Sequence, residues 1–464
     1  MSGRTLLLGA VALAAISSPA AAETIAITGG TVAIGDGSAP IEGGTVIVRD
    51  GRIVAAGQGV SVPADARRID ATGRWVTPGI VAGFTRVGLV EVGAVNPTND
   101  ISASASPFSA ALDISPAINP ATSAIAVSRT AGVTRAVVAP ATSRSIFAGQ
   151  GAFIDMGADL DTVTRARAFQ FVELGEAGAD EAGGSRASSH ALFRNALREA
   201  RDYGRSADIR GGAGRADPIV QGDDLPPADA DPRLADTQAT RADDVLLSRF
   251  DAAALVPVVT GRQPLYIHVE RASDIRAVLG LRREFPALRM VLVGVSEGWL
   301  AAADIVSANV PVIASALNDL PASFEQLAAT QSNIGRMRAA GVKVAIGQIN
   351  DDEAHRLFYA TQYAGNLVAL GNVPGATGLS WGEAFAAITS VPAEIMGMGN
   401  RFGSLAPGRA GDVVIWDGDP LELSSTPVSV MIDGIDQPLG NRQTRLRDRY
   451  ADPVEGALPN AYDR

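Results

Sequence analysis

Few side chains in this chain could carry chemistry, because its 464 residues include three histidines, no cysteine and a single lysine, Lys343. The absence of cysteine excludes thiolate metal ligands, disulfides and cysteine nucleophiles. His268 lies in the apolar run Leu265–Val269, and Glu270 follows it two residues later. Alternate residues of a strand point to one face. The imidazole and the carboxylate are therefore predicted to lie side by side, as a metal-free pair or as two ligands of a metal ion.

A catalytic zinc ion typically takes three protein ligands and keeps one position open for a water molecule, whose pKa falls to about 7. His268, Glu270 and His355 would supply three such ligands, so one divalent ion in a non-standard site is an alternative. The main expectation is that no cofactor is bound. His268 and Glu270 then form a metal-free pair, and His355 is an exposed helix residue.

A different chemistry is indicated by the pattern G-x-S-x-G at residues 294–298, between a predicted strand and a predicted helix. This is the context of a nucleophile elbow, in which a sharp turn exposes a serine hydroxyl. The chain order permits Ser296, Asp319 and His355 as a catalytic triad, so a serine hydrolase using Ser296 is a lesser alternative. The sequence lacks an HGGG-type segment that would supply the oxyanion hole.

Short apolar runs alternate with amphipathic stretches through the middle of the chain, as in a β/α fold. Buried parallel strands are predicted at residues 133–139, 265–269, 290–293, 310–314 and 342–346. Helices are predicted at residues 273–284, 299–309 and 324–340. This alternation favours an α/β fold with a (β/α)8 TIM-like barrel over an open doubly wound sheet.

Both ends of the chain are rich in short β runs, at residues 24–28, 45–48 and 53–56 and again at 412–416 and 428–432. Asp50 and Gly51 predict a two-residue hairpin turn, because both tolerate positive φ. We therefore expect a small β-sandwich domain built from both chain ends, with the barrel inserted between them.

Two segments resemble the amidohydrolase superfamily, in particular its periplasmic imidazolonepropionase-like branch. Residues 77–88, TPGIVAGFTRVG, lie where that superfamily ends its first barrel strand in His-x-His, and residues 402–420, FGSLAPGRAGDVVIWDGDP, are similar to its closing segment. The resemblance implies a β-sandwich domain at 23–78 plus 404–450 and a barrel at 79–403. It also implies a hydrolase acting on C–N (non-peptide) bonds.

The same resemblance indicates which metal ligands are missing. The superfamily's two-metal centre takes several histidines, a carboxylated lysine and an aspartate, which three histidines and one lysine do not supply. Phe84 and Arg86 occupy the His-x-His positions, and His268 alone matches a metal-binding histidine. At the last strand, where the superfamily carries its aspartate, this chain reads GQIN at 347–350, so Asn350 or Asp351 would have to take that role.

Two functions of different class follow. The chain is a C–N hydrolase with a degenerate, metal-poor site, or it is a catalytically inactive protein that binds a small ligand or a partner. Arg86 carries a fixed positive charge that could replace the lost cation and hold a small carboxylate, with His268 and Glu270 nearby. The competing interpretation is that Arg86 pairs with Glu270.

The N-terminus predicts export. Arg4, an apolar run at 6–16 and the small residues ending at Ala22 are typical of a signal peptide cleaved before Glu23. The run is shorter than the ~20 residues of a membrane span, so we expect a periplasmic protein without a membrane span after cleavage. A net charge of −11 disfavours nucleic acid as a partner. Eight aspartates and four prolines between 217 and 244 predict an acidic surface insertion at about 207–247.

Overall fold

The computed structural model describes residues 23–212, 246–316, 318–349 and 355–451. The strands in these ranges are β1 (Thr24–Val32), β2 (Ile41–Arg49), β3 (Arg52–Gly57), β4 (Arg67–Asp70), β5 (Trp75–Pro78), β6 (Ile80–Thr85), β7 (Val133–Val138), β8 (Phe147–Asp155), β9 (Val163–Glu173), β10 (Leu265–Val269), β11 (Met290–Gly294), β12 (Val312–Ala314), β13 (Val344–Ile346), β14 (Val413–Trp416), β15 (Pro427–Ile432) and β16 (Ile435–Asp436). The helices are α1 (Ser123–Thr130), α2 (Glu176–Glu181), α3 (Arg186–Gly212), α4 (Arg249–Val259), α5 (Ala272–Gly280), α6 (Ala302–Ala308), α7 (Asn333–Ala339), α8 (Tyr359–Ala369), α9 (Trp381–Ala386), α10 (Ser390–Ile395) and α11 (Arg442–Tyr450).

Strands from both chain ends form one sheet, called here the terminal sheet. Its order is β16-β15-β14-β5-β1-β2-β3, and β4 pairs with β1. Asp50 and Gly51 have φ angles of 52° and 69°, which confirms the hairpin turn between β2 and β3. The predicted sandwich is hydrogen-bonded as one continuous sheet, because β1 pairs with β4 along Ile25–Thr28 and with β5 at Thr31 and Val32.

The middle of the chain forms a nearly closed barrel of eight strands in the order β13-β12-β11-β10-β9-β8-β7-β6. All five strands predicted from apolar runs are present. The barrel closes between its first and last strands, where the Gln348 amide donates to the Phe84 carbonyl at 3.0 Å. The TIM-like barrel with a separate sheet from the termini is confirmed.

One strand departs from the regular alternation. β8 is antiparallel to both β7 and β9, so these three strands form a meander without helices between them. β8 is buried along its whole length, and its sequence FAGQGAFID has no alternating polar period. β8 therefore carries no periodic signal in the sequence.

Alternating side chains of the strands fill the barrel interior, as is usual for this fold. On β10, Tyr266 lies inside, whereas Leu265, Ile267 and Val269 pack towards the helices. The rings of Phe169 and Tyr266 stack at 4.1 Å inside the barrel. The C-terminal ends of β6, β9 and β10 then bring their last inward-facing residues together at one end of the barrel, called here the barrel mouth.

At the other end, a buried arginine joins the barrel to the terminal sheet. Arg135 on β7 donates from Nε and Nη2 to the two Asp412 oxygens at 2.8 and 2.9 Å, and Nη2 also lies 2.8 Å from Asp433. The Asp155 carboxylate is 3.8 Å from Arg135 Nη1. Burial raises the pKa of Asp155 to about 6, against the opposing effects of the Gly157 amide and Arg135.

Two sequence expectations fall mostly outside the described residues, namely the signal peptide at 1–22 and the acidic insertion. Helix α3 continues to Gly212, so residues 207–212, at the start of the predicted insertion, are helical. Among the helices in the described ranges, none is long and apolar enough to cross a membrane.

Candidate functional site

Three side chains at the barrel mouth form what we call the His268 cluster. Nδ1 of His268 lies 2.7 Å from Oε1 of Glu173, and Nε2 lies 2.9 Å from Oε1 of Glu270. Glu173 is the register partner of His268 across the β9–β10 pair, which places the two side chains on the same face. The predicted pair of His268 and Glu270 is present, with a second carboxylate on its other side.

Backbone amides fix both carboxylates in place. Oε1 of Glu173 also accepts from the Gly175 amide at 2.9 Å. Oε2 of Glu270 accepts from the Ser296 amide at 2.7 Å. Each carboxylate therefore has a partner that does not depend on the imidazole, and both hold their positions as acceptors for His268.

A glycine leaves room for the His268 cluster. Gly294, at the end of β11, has a φ angle of +89°, and a Cβ atom there would contact Oε1 of Glu270 and lie 2.7 Å from Nε2 of His268. The next residue, Val295, also has a positive φ, 58°. The turn after β11 is thus shaped so that backbone, not a side chain, covers the contact between His268 and Glu270.

The electrostatics of the cluster keep the imidazole charged. Burial opposes the charged form of His268, but Glu173 and Glu270 outweigh it and raise the pKa of His268 well above its usual value. An imidazole that faces a carboxylate at each nitrogen donates from both, so it is an imidazolium. A metal ligand needs a neutral imidazole with a free lone pair, which this arrangement does not offer.

A wider ring of charges surrounds the cluster. Glu325 accepts from the Glu176 amide at 2.7 Å and from Arg186 at 3.0 Å, and Arg186 also binds Asp274 at 2.9 Å. Burial raises the pKa of Glu325, while the positive charge of His268 lowers it. Glu325 and His268 therefore interact electrostatically at the mouth.

The two positions that correspond to His-x-His are occupied by Phe84 and Arg86. Phe84 is buried, and its ring lies 5.3 Å from that of Phe171 inside the barrel. Arg86 is also buried, and its Nη1 donates to the Pro140 carbonyl at 2.7 Å and weakly to that of Ala139 at 3.4 Å. Arg86 thus ties the end of β6 to the segment that follows β7.

The predicted alternative in which Arg86 pairs with Glu270 does not match these contacts. Both Glu270 and Arg86 are described, and the carboxylate of Glu270 bonds to His268 and to the Ser296 amide, with no ion pair to Arg86. The guanidinium lies instead over the Phe84 ring, 5.9 Å from its centroid.

The donors at the mouth do not fit a catalytic metal ion. Such a site takes about three protein ligands with free lone pairs, but Phe84 has no donor, Arg86 is a cation, and both nitrogens of His268 are occupied. Over the part of the chain that the structure describes, no group of three His, Asp or Glu side chains could hold a metal ion. The predicted ligands Asn350 and Asp351 lie outside the described residues.

Ser296 is close to the cluster but is not arranged as a nucleophile. Its hydroxyl is buried and accepts a hydrogen bond from the side-chain amide of Asn318, Nδ2, at 2.8 Å. Within the described residues, no histidine bonds to this hydroxyl, and Asp319 is exposed. The positive φ angles of the turn are at Gly294 and Val295, whereas a nucleophile elbow places its strain at the serine itself.

His355, the third predicted ligand, is half-buried in the turn before α8, and it takes no part in the hydrogen bonds of the His268 cluster. Glu173 is not among the site residues predicted from the sequence, because β9 was not predicted. A signal was present in hindsight, since Phe169, Phe171 and Glu173 alternate along one face of that strand.

Comparison with known proteins agrees with the fold and the sequence pattern. A family model described as "Amidohydrolase family" matches residues 236–434. The curated amidohydrolase tasK of Hapsidospora irregularis is 25% identical over 428 residues, which cover 86% of this chain and 39% of that protein. This chain thus spans about two fifths of the length of that relative.

A solved structure shares the architecture. The crystal structure of an amidohydrolase from Thermotoga maritima MSB8 is similar with a TM-score of 0.72 and 22% identity, over 90% of this chain and 100% of that one. The closing segment at 402–420, the family match and the barrel with its terminal sheet agree with one another. Over residues 236–434 the chain therefore resembles the amidohydrolase family, and it shares the fold of that solved structure.

Proposed function

We propose that the barrel mouth of this protein works without the superfamily's metal centre and binds a small molecule rather than hydrolysing one. The observation that carries this proposal is the contact of a carboxylate with each ring nitrogen of His268. An imidazolium that donates to two glutamates neither ligates a metal ion nor accepts a proton as a general base.

The ligand we propose is a small carboxylate. Arg86, directly after β6, is the group that would hold it, because arginine binds carboxylates through paired hydrogen bonds. Acyl-amino acids or peptide ends carry such a group. We also propose that the protein acts in the periplasm after cleavage near Ala22, which the intact mass of the exported protein tests.

Hydrolysis of a C–N bond by an atypical centre is the second candidate. The match to the amidohydrolase family model over residues 236–434 favours it. In that case a metal ion would have to displace Glu173 or Glu270 from His268, which requires the imidazolium to lose its proton.

One experiment separates the two candidates. Chelator-treated protein is titrated calorimetrically with N-acetylated amino acids, and the same compounds are assayed for release of acetate with and without added zinc. We expect metal-independent binding of at least one carboxylate and no turnover. Zinc-dependent turnover that is lost in His268→Gln would show that the protein is a hydrolase and would contradict the proposed binding function.

The role of Arg86 is tested with two variants in the same titration. Arg86→Ala removes the guanidinium, and Arg86→Lys keeps the charge but not the planar fork. A charged hydrogen bond contributes about 1.5–3 kcal/mol, so Arg86→Ala should weaken binding by roughly ten- to a hundredfold. A carboxylate that binds both folded variants as tightly as the wild type excludes Arg86 as its anchor.

A further inference from the structure

A cleft of about 500 Å³ opens at the end of the barrel opposite the His268 cluster, and we call it the basic cleft. Its wall includes the residues at or just before the starts of four neighbouring strands: Pro264 for β10, Met290 for β11, Pro311 for β12 and Lys343 for β13. A volume of this size accommodates a small metabolite. The His268 cluster lies at the opposite, C-terminal end of β10, so the two sites do not overlap.

The charge of the basic cleft is opposite to that of the protein. Arg282, Arg289 and Lys343 line it, against one carboxylate, Glu394. The whole chain carries a formal charge of −11, and Lys343 is its single lysine. Positive groups concentrated in one concave site of an acidic protein attract anions locally, because low-dielectric walls focus their field.

A neighbouring groove extends this positive region. It shares Arg282 with the basic cleft and adds Arg276 and Arg283, together with Asp304. Arg276 forms an exposed ion pair there with Asp304 at 2.8 Å, as Lys343 does with Glu394 in the cleft. The groove therefore contributes Arg283 as a further cation next to the cleft.

The three cations of the basic cleft differ in their interaction partners. Arg282 donates to the Ala308 carbonyl, at the C-terminal end of α6. That end of a helix would otherwise repel an anion, so Arg282 compensates the unfavourable dipole. Nζ of Lys343 lies 2.7 Å from Glu394, in a solvent-exposed pair that contributes little to stability.

Arg289 is the cation whose hydrogen-bond donors are available to a ligand. Its side chain is exposed, and its guanidinium has no hydrogen bond or ion pair with any residue in the described ranges. Val291 also lines the cleft, and it is the register partner of Tyr266 on the neighbouring strand β10. The buried hydroxyl of Tyr266 has no hydrogen-bond partner in the described part of the chain. A guanidinium with five free donors that lines the same cavity as a lysine is suited to an oxyanion.

We propose that the basic cleft binds a small phosphate-bearing molecule, with Arg289 and Lys343 as its charged contacts. Phosphate suits this pair because arginine offers a planar fork and lysine a point charge. The same group occurs on soluble phosphomonoesters and on phospholipid headgroups. The cleft is concave and of metabolite size, which favours the soluble source.

The test uses full-length mature protein and inorganic phosphate as the first probe, titrated calorimetrically against a chloride control at equal ionic strength. Glycerol 3-phosphate is the second probe, and vesicles of phosphatidylglycerol in phosphatidylcholine are the third. Variants are Arg289→Gln and Lys343→Gln. Arg74→Gln is the matched control, because Arg74 is exposed in the terminal-sheet region and its loss changes the net charge equally.

We expect saturable binding of phosphate and of glycerol 3-phosphate, weakened about tenfold or more in Arg289→Gln and Lys343→Gln and unchanged in Arg74→Gln. Vesicle binding without binding of the soluble probes would overturn the metabolite-type site in favour of a lipid headgroup. An absence of saturation, or an equal loss in Arg74→Gln, would mean that no specific site exists.

Discussion

Nε2 of His268 lies 2.9 Å from Oε1 of Glu270, and this contact occupies the nitrogen that a metal ion would need. The other ring nitrogen is taken by Glu173 at 2.7 Å. A histidine that matches a metal-binding position of the superfamily has thus become the centre of a charge-compensated cluster.

His268 should stay protonated at neutral pH. The raised pKa in the folded state stabilises the fold fully below the unfolded value of about 6.5, and this stabilisation is lost as pH rises through the folded pKa. Nitrogen chemical shifts from NMR report the imidazolium directly. Glu173→Gln and Glu270→Gln should each lower the pKa of His268, and a neutral imidazole at about pH 7 in the wild type would contradict the account.

Gly294→Ala should destabilise the protein and disturb the cluster. The new methyl group would contact Oε1 of Glu270, and the residue has a φ angle of +89°. Gly59→Ala is the matched control, because Gly59 has a φ angle of +68° with nothing near its would-be Cβ. Chemical denaturation should show Gly294→Ala to be worse than the control by more than about 1 kcal/mol. Equal losses would mean that the close approach to Glu270 has no effect.

Asp155 should make the stability of the protein depend on pH. Its folded pKa of about 6 lies above its usual value of 3.8, so its ionised form destabilises the fold, and stability rises as pH falls through about 6. Asp155→Asn should therefore be more stable than the wild type at about pH 8, by about 1–2 kcal/mol after allowance for screening. The advantage should shrink at lower pH.

Thermal unfolding over a pH series measures this effect, with Asp65→Asn as the control, because Asp65 is exposed and far from Arg135 in sequence. A variant Asp155→Asn that is less stable than the wild type at high pH would show that the contact with Arg135, at 3.8 Å, outweighs the burial of the carboxylate.

Ser296 should not react with a fluorophosphonate probe. Its hydroxyl is buried and bound by Asn318, and no described histidine is placed to take its proton. Intact-mass analysis after incubation measures the labelling. Stoichiometric labelling that disappears in Ser296→Ala would establish the serine hydrolase instead.

The sequence predicted the fold well where apolar runs were short and regularly spaced, as at Leu265–Val269 and Met290–Gly294. It missed β8 and β9, because β8 is buried on both faces and rich in glycine, so its pattern has no period. Because β8 and β9 were not predicted, the antiparallel meander of β7, β8 and β9 was not predicted either.

The site was predictable only in part, for a related reason. His268 and Glu270 are two residues apart, so their shared face follows from strand geometry. Glu173 is distant in sequence and reaches His268 through the register of β9 against β10. The same holds for the Ser296 amide, which meets Glu270 because of the turn at Gly294 and Val295. Such contacts depend on tertiary pairing, which local sequence patterns do not encode.

The metal content of the purified protein tests the central claim most directly. Elemental analysis after dialysis against zinc, manganese and iron salts, and then against buffer alone, gives the bound equivalents per chain. We expect less than one equivalent of any of these metals, and the same value for His268→Ala. One or two equivalents retained by the wild type and lost from His268→Ala would show that His268 is a metal ligand and would contradict the account.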